Sequence, residues 1–208
     1  MGERRGSGLL RRLAKRLREL RAYMRAEGVD EIARRYLVMN AFDGALAILS
    51  VVVSAYFAVG VRDPRFIVAV GLANCMAMGI SGFTGTFMTE RAERVRRLRE
   101  LESIMLTSLE DSDFGRVSVL ASVYAALVDG LAPMMAAFIS LSPLMLAMLI
   151  PLDIRLAVYA SLGINMATLF ALGAFLGHVS RGNLVLSGLK MLAVGCGTAL
   201  LCTLLGAM

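Results

Sequence analysis

Two carboxylates in this chain stand where hydrocarbon is expected. Asp43 lies in the run AFDGALAILSVVV (41–53) and Asp129 in AALVDGLAPMMAAF (125–138), each followed at once by glycine. An ionised carboxylate at the centre of a membrane helix costs about 2.5–3.5 kcal/mol even on lenient insertion scales. A mid-helix glycine adds about 1 kcal/mol relative to alanine. A sequence that accepts both costs twice has a use for them. Asparagine follows the same pattern: Asn40, Asn74 and Asn165, three of the four in the chain, fall in apolar runs. Asn40 and Asp43 are i and i+3 on one helix face, and Asn74 and Met78 are i and i+4 on another. Carboxylate and amide oxygens suit hard cations, and a thioether shifts the preference toward softer ones. Asp43, Asp129, Asn40, Asn74 and Met78 therefore fit a borderline divalent transition metal. The structural alternative is that the same Asp and Asn residues hydrogen-bond between helices and hold them together.

The elements that carry these groups are read from composition. Hydrophobic residues make up 58% of the 208 and charged residues 18%, and the mean hydropathy is +0.71. Soluble domains are nearer half apolar and a quarter charged. Five apolar runs, roughly 37–60, 66–89, 117–142, 148–178 and 185–207, are long enough to cross a bilayer core as helices. They are continuous rather than alternating, which excludes a barrel. The expected class is all-α: a polytopic membrane protein with five transmembrane helices. At 1.5 Å per residue Asp43 sits about 10 Å into the first span and Asp129 about 18 Å into the third. Pro133, four residues beyond Asp129, removes a backbone hydrogen bond there. The first 35 residues are too charged to hold the apolar core of a signal peptide.

Charge gives an orientation. Of the 22 Lys and Arg residues, 11 precede the first span, six lie from Arg91 to Arg116, and Arg181 and Lys190 follow the fourth span. Arg62, Arg65 and Arg155 are the only ones on the other side. This positive-inside bias places the N-terminus in the cytoplasm and the C-terminus outside, and it accounts for the net charge of +6 without nucleic acid. Residues 1–35 read as a basic region and 36–208 as the five-helix domain, with a cytoplasmic helical connection over about 90–116. Leu10, Leu13, Leu17, Leu20 and Met24 form one apolar stripe on an N-terminal amphipathic helix whose other faces are arginine-rich. Such a helix lies on an anionic leaflet or packs on a partner copy. Gly28 ends it and Asp30 is the expected N-cap of the next helix. VRDPRF (61–66) reads as a tight external turn.

Glu90 and Glu93 share a helix face beyond the second span and are candidate metal-collecting residues. Their arginine neighbours Arg94 and Arg97 make solvated salt bridges the competing explanation. His178 has no second His or Cys near it in sequence. Cys75, Cys196 and Cys202 lie in apolar runs with no CxxC spacing and read as packing residues. GAFLG (173–177) is a GxxxG pattern for close helix packing. No Walker A loop, nucleophile elbow or HExxH is present, so no ATPase, hydrolase or other enzyme is expected.

In this order the motifs resemble the vacuolar iron transporter family. Asp43-Gly44 follows the cytoplasmic boundary of span one. LANCMAMGISGF in span two is similar to the family's pattern through Ala73, Asn74, Met78 and Gly79, and span three carries Pro133. The last two spans look alike as well, so the resemblance covers residues 30–208. It implies a homodimer that exports Fe²⁺ or Mn²⁺ from the cytoplasm in exchange for protons, with no resident cofactor. By position it gives Asp43 and Met78 the roles of transport-path carboxylate and thioether. The family's glutamate after this motif is replaced here by Ser81, Gly82 and Phe83, and its cytoplasmic metal-binding domain is longer than the connection available. Asp129 is the residue offered for the missing carboxylate. The two Asp-Gly pairs, with NCMAMGISGFTG (74–85) echoed by NMATLFALGAFLG (165–177), outline a parallel internal repeat. The expected function is a proton-coupled divalent metal transporter. A non-transporting scaffold that recruits a partner, and a carrier for another small solute, are the alternatives.

Overall fold

Apolar runs of this length become helices because no water remains to satisfy an open backbone. In the computed structural model, which describes residues 29–106, 113–150 and 152–206, they do so five times. Helix α1 spans Val29–Val53 and continues as a π-helical turn over Ser54–Ala58. It is followed by α2 (Pro64–Met105), α3 (Asp113–Leu149), α4 (Ile154–Val179) and α5 (Leu184–Gly206). All five are long and apolar enough to cross a membrane, and no strand occurs among the described residues. The chain is a multi-pass helical membrane protein. The amphipathic helix expected over 8–26 lies outside the described residues.

Local chemistry sets the helix ends. Gly60 takes a positive φ of 77°, Asp63 accepts the Arg65 N–H at 2.9 Å, and Pro64 opens α2, where its missing N–H costs nothing. Asp153 caps α4 by accepting from Arg155 N at 2.9 Å. Asn183 caps α5, accepting from Val185 N at 3.0 Å and Leu186 N at 3.2 Å. Asp30, the expected N-cap, instead sits with Glu31 inside the first turn of α1, where carboxylates complement the positive end of the helix dipole.

Helix α2 has 42 residues, about 63 Å at the α-helical rise, roughly twice a hydrocarbon core of about 30 Å. Its charged second half therefore continues the second span without a break, as the sequence implies. The third span departs from expectation. It was placed at 117–142, stopping short of Pro143, yet α3 runs through Pro133 and Pro143 to Leu149. Prolines are tolerated within membrane helices when other groups occupy the carbonyls they orphan. Ser142 Oγ donates to Ile139 O at 2.7 Å, the carbonyl that Pro143 cannot serve. The break comes instead around Asp153, so α4 starts at Ile154 rather than 148.

The chain divides into two compact units, residues 1–35 with 84–127, and residues 36–83 with 128–208. The second unit has two apolar cores. One gathers Ile48, Val52, Ile67, Cys75, Leu141, Leu144 and Val158; the other gathers Ala41, Ala45, Leu49, Ala132, Ala136 and Leu169. Glycines let its helices touch backbone to backbone. A Cβ on Gly173 would lie 2.6 Å from Ser187 O, and one on Gly177 3.0 Å from Leu184 Cα, so the GxxxG of α4 seats α5.

In the first unit, Arg94 is only 5% exposed and pairs with Glu90 at 3.5 Å. Glu93 meets Arg96 at 2.8 Å and Arg97 at 3.5 Å.

Candidate functional site

Asp129 is 3% exposed on α3, the one buried acidic residue among those described. The Asn40 side-chain amide, one turn before Asp43 on α1, donates to its carboxylate Oδ1 and also to Tyr36 O at 3.2 Å. Oδ2 faces α2 at Gly82, where an added Cβ would stand 3.0 Å away. Pro133, four residues on, has no N–H of its own to give the Asp129 carbonyl, and that carbonyl too lies toward Gly82, 3.8 Å from that Cβ position. Asp129 thus presents a carboxylate oxygen and a main-chain carbonyl to a patch of α2 that has no side chain.

The approach of the three helices depends on further glycines. A Cβ on Gly79 would meet Gly130 O at 2.6 Å, and a Cβ on Gly130 would meet Gly79 O at 2.7 Å. Gly44 lies against Pro133, with 2.6 Å from its Cβ position to Pro133 Cα. Each Asp-Gly pair therefore combines a carboxylate with a glycine that lets another helix close in.

The predicted site residues separate into three groups. Asn40, Asp43 and Asp129 come together: Asp43 is exposed on α1 and within electrostatic reach of Asp129. Met78 is half-buried next to Gly79, and Asn74, one turn earlier, is exposed. Glu90 and Glu93 are engaged by arginines of their own helix. Glu93 lies past the apolar half of α2, and the hydrogen bond from Arg96 holds its carboxyl below the usual range. Among the described residues no three of His, Cys, Asp and Glu gather into a metal-holding group. A cation at Asp129 would be completed by amide and carbonyl oxygens, the second carboxylate and thioethers.

Sequence reasoning missed two residues here. Met134, i+5 from Asp129, sends its terminal methyl to within 2.7 Å of the Gly79 Cβ position, and nothing in the sequence separates it from the other methionines. Gly82 was noted as the place of a missing glutamate, but its contact with Asp129 needs the register of α2 against α3. The internal repeat gains no equivalence from these surroundings: Asp43 and Asn74 are exposed where Asp129 and Asn165 are buried.

No family model matches the chain. It is 32% identical over 175 residues to a protein of Methanocaldococcus jannaschii described as "Uncharacterized protein MJ0645", an alignment covering 83% of this chain and 87% of that one.

Proposed function

The chain belongs to the family of the archaeal protein MJ0645, and from that premise and the chemistry of its own carboxylates we propose a proton-coupled transporter of divalent transition metal ions such as Fe²⁺ or Mn²⁺. The observation that carries this reading is Asp129, a buried carboxylate inside an apolar helix, with Asp43 beside it and Asn40 bonded to it. A carboxylate oxygen takes either a proton or a divalent cation, so metal and proton compete for one pair of groups. That competition is the minimal device for exchange. Gly82 supports the resemblance to the vacuolar iron transporters at the point where the sequence departs from them. A Cβ there would stand 3.0 Å from the Asp129 carboxylate, a tight contact, so a carboxylate from α3 lies next to the position where α2 lacks one.

The same reading includes a homodimer. Asp43, Asn74 and Ser81 are exposed within apolar helices, and polar groups facing lipid are expensive. Ala69, Ala73, Ala77 and Ser81 make an exposed ladder of small residues at every fourth position of α2, the spacing that lets a second helix approach closely. A partner copy on this face covers the polar groups and supplies a second set of oxygens and thioethers. The lysine and arginine distribution supports a cytoplasmic N-terminus and an external C-terminus, and the export direction comes from the resemblance to the vacuolar iron transporters.

The scaffold reading draws on the Asn40–Asp129 bond, which ties α1 to α3. Fe²⁺ and Mn²⁺ uptake into proteoliposomes, with and without a pH gradient, separates the two. Under the transport reading, flux is driven by the gradient and abolished in Asp43→Asn and Asp129→Asn. Well-folded wild-type protein that moves neither metal under either gradient polarity overturns the metal-transport reading and leaves the scaffold or a carrier for another small solute.

A further inference from the structure

Asn165, halfway along α4, is 1% exposed. Its two N–H groups are used: one donates to Ala45 O on α1 at 2.9 Å and the other to Ser140 Oγ on α3 at 3.1 Å. The Ala45 carbonyl fixes the orientation of the amide, because a flipped side chain would set oxygen against oxygen. Asn165 Oδ1 then faces the interior, and no protein group donates to it. Such an acceptor costs about 1–3 kcal/mol if it stays unpaired.

The neighbours carry the matching deficits. Ser140 Oγ accepts from Asn165, which leaves its own O–H available to donate. Ser161, one turn before Asn165 on the same buried face of α4, donates to Ser140 O at 2.7 Å and keeps its lone pairs. Two acceptors and one donor are left over at one level of the bundle. A single water molecule, with two hydrogens to give and a lone pair to receive, satisfies all three; a bare cation has no use for the Ser140 hydrogen.

On α3 this cluster lies 11 residues beyond Asp129, about 16 Å along the axis. The buried residues between are Gly130, Ala132, Pro133, Ala136 and Ala137, with Gly44 closed on Pro133. Two polar stations are thus separated by a dry stretch of small side chains, and the stretch includes the turn where α3 lacks a hydrogen bond.

We infer that Asn165, Ser140 and Ser161 hold one buried water molecule between α3 and α4, which donates to Asn165 Oδ1 and Ser161 Oγ and accepts from the Ser140 hydroxyl. The site does not rest on the proposed transport function.

The test is a structure of the nanodisc-embedded protein at a resolution that shows ordered water, for wild type, Ser140→Ala and Asn165→Leu. Ser140→Ala keeps the Asn165–Ala45 bond and so guards against a folding defect. The expected result is density for one water between Asn165 Oδ1 and Ser140 Oγ in the wild type and its loss in Asn165→Leu. A wild-type interior without that density overturns the site, and density that stays unchanged in both variants overturns its assignment to these side chains.

Discussion

The dipeptide Asp-Gly occurs twice in apolar helices of this chain, and the two copies live differently. In α1, Gly44 is buried against Pro133 while Asp43 is exposed, and no group among the described residues hydrogen-bonds its carboxylate. In α3 both residues are buried, Gly130 against Gly79 and Asp129 against Asn40 and Gly82. Consecutive helical residues point about 100° apart, so a glycine turned to one neighbour aims the preceding aspartate at another direction. For α3 that direction holds a second helix; for α1 it holds none among the described residues. One carboxylate is therefore built into the fold, and the other is left exposed.

This asymmetry is tested first through the glycines. Gly130→Ala forces a methyl onto the Gly79 carbonyl and Gly44→Ala forces one onto Pro133; each should cost about 1–3 kcal/mol by overpacking. The Gly130 variant should lose more in thermal unfolding in detergent, because there backbone meets backbone from both sides. Equal or negligible losses would mean that the helices are not in such contact.

The aspartates come next. Asp129→Ala removes the acceptor that ties Asn40 to α3, leaving it only Tyr36 O, and should destabilise by about 1–3 kcal/mol. Asp43→Ala, with no partner to abandon, should stay within about 0.5 kcal/mol. A loss at position 43 as large as at 129 would erase the distinction. A smaller effect sharpens it: a double-mutant cycle of Asn40→Ala with Asp129→Ala should return a coupling near 0.6 kcal/mol, the average for hydrogen bonds between membrane helices. The cycle of Asn40→Ala with Asp43→Ala should return none.

Glu93→Gln marks the lower limit. Its pairs with Arg96 and Arg97 are open to solvent, so the melting temperature should not move measurably. The folded pKa of Glu93 is depressed. Any contribution is then present above the ordinary carboxylate pKa and disappears as pH falls through the depressed value. A pH titration of stability that shows a large step from this residue would assign it a role beyond the salt bridge.

Several parts of this molecule were legible before the fold was. The five helices follow from continuous apolar runs, and the unbroken exit of α2 into a charged segment follows from its lack of any proline or glycine stop after residue 85. GAFLG marked a close-packing face on α4, and the fold supplied α5 as its partner. The break between α3 and α4 was misplaced because apolar runs alone do not mark where one helix ends; α3 continues through Pro143, where Ser142 Oγ bonds Ile139 O.

The sequence by itself determined the number of helices, the apolar setting of Asp43, Asp129 and the asparagines, and the presence of glycines for close approach, because chain length, hydropathy and residue type are local properties. Tertiary structure alone decided that Asp129 is enclosed and Asp43 open, that Gly82 faces a carboxylate, and that Asn165 is drawn between Ala45 and Ser140 with one oxygen unmatched. The reason is physical: a helix that is apolar on every side carries almost no periodic signal of which face turns inward, so the register of one helix against the next is written only in the contacts between them.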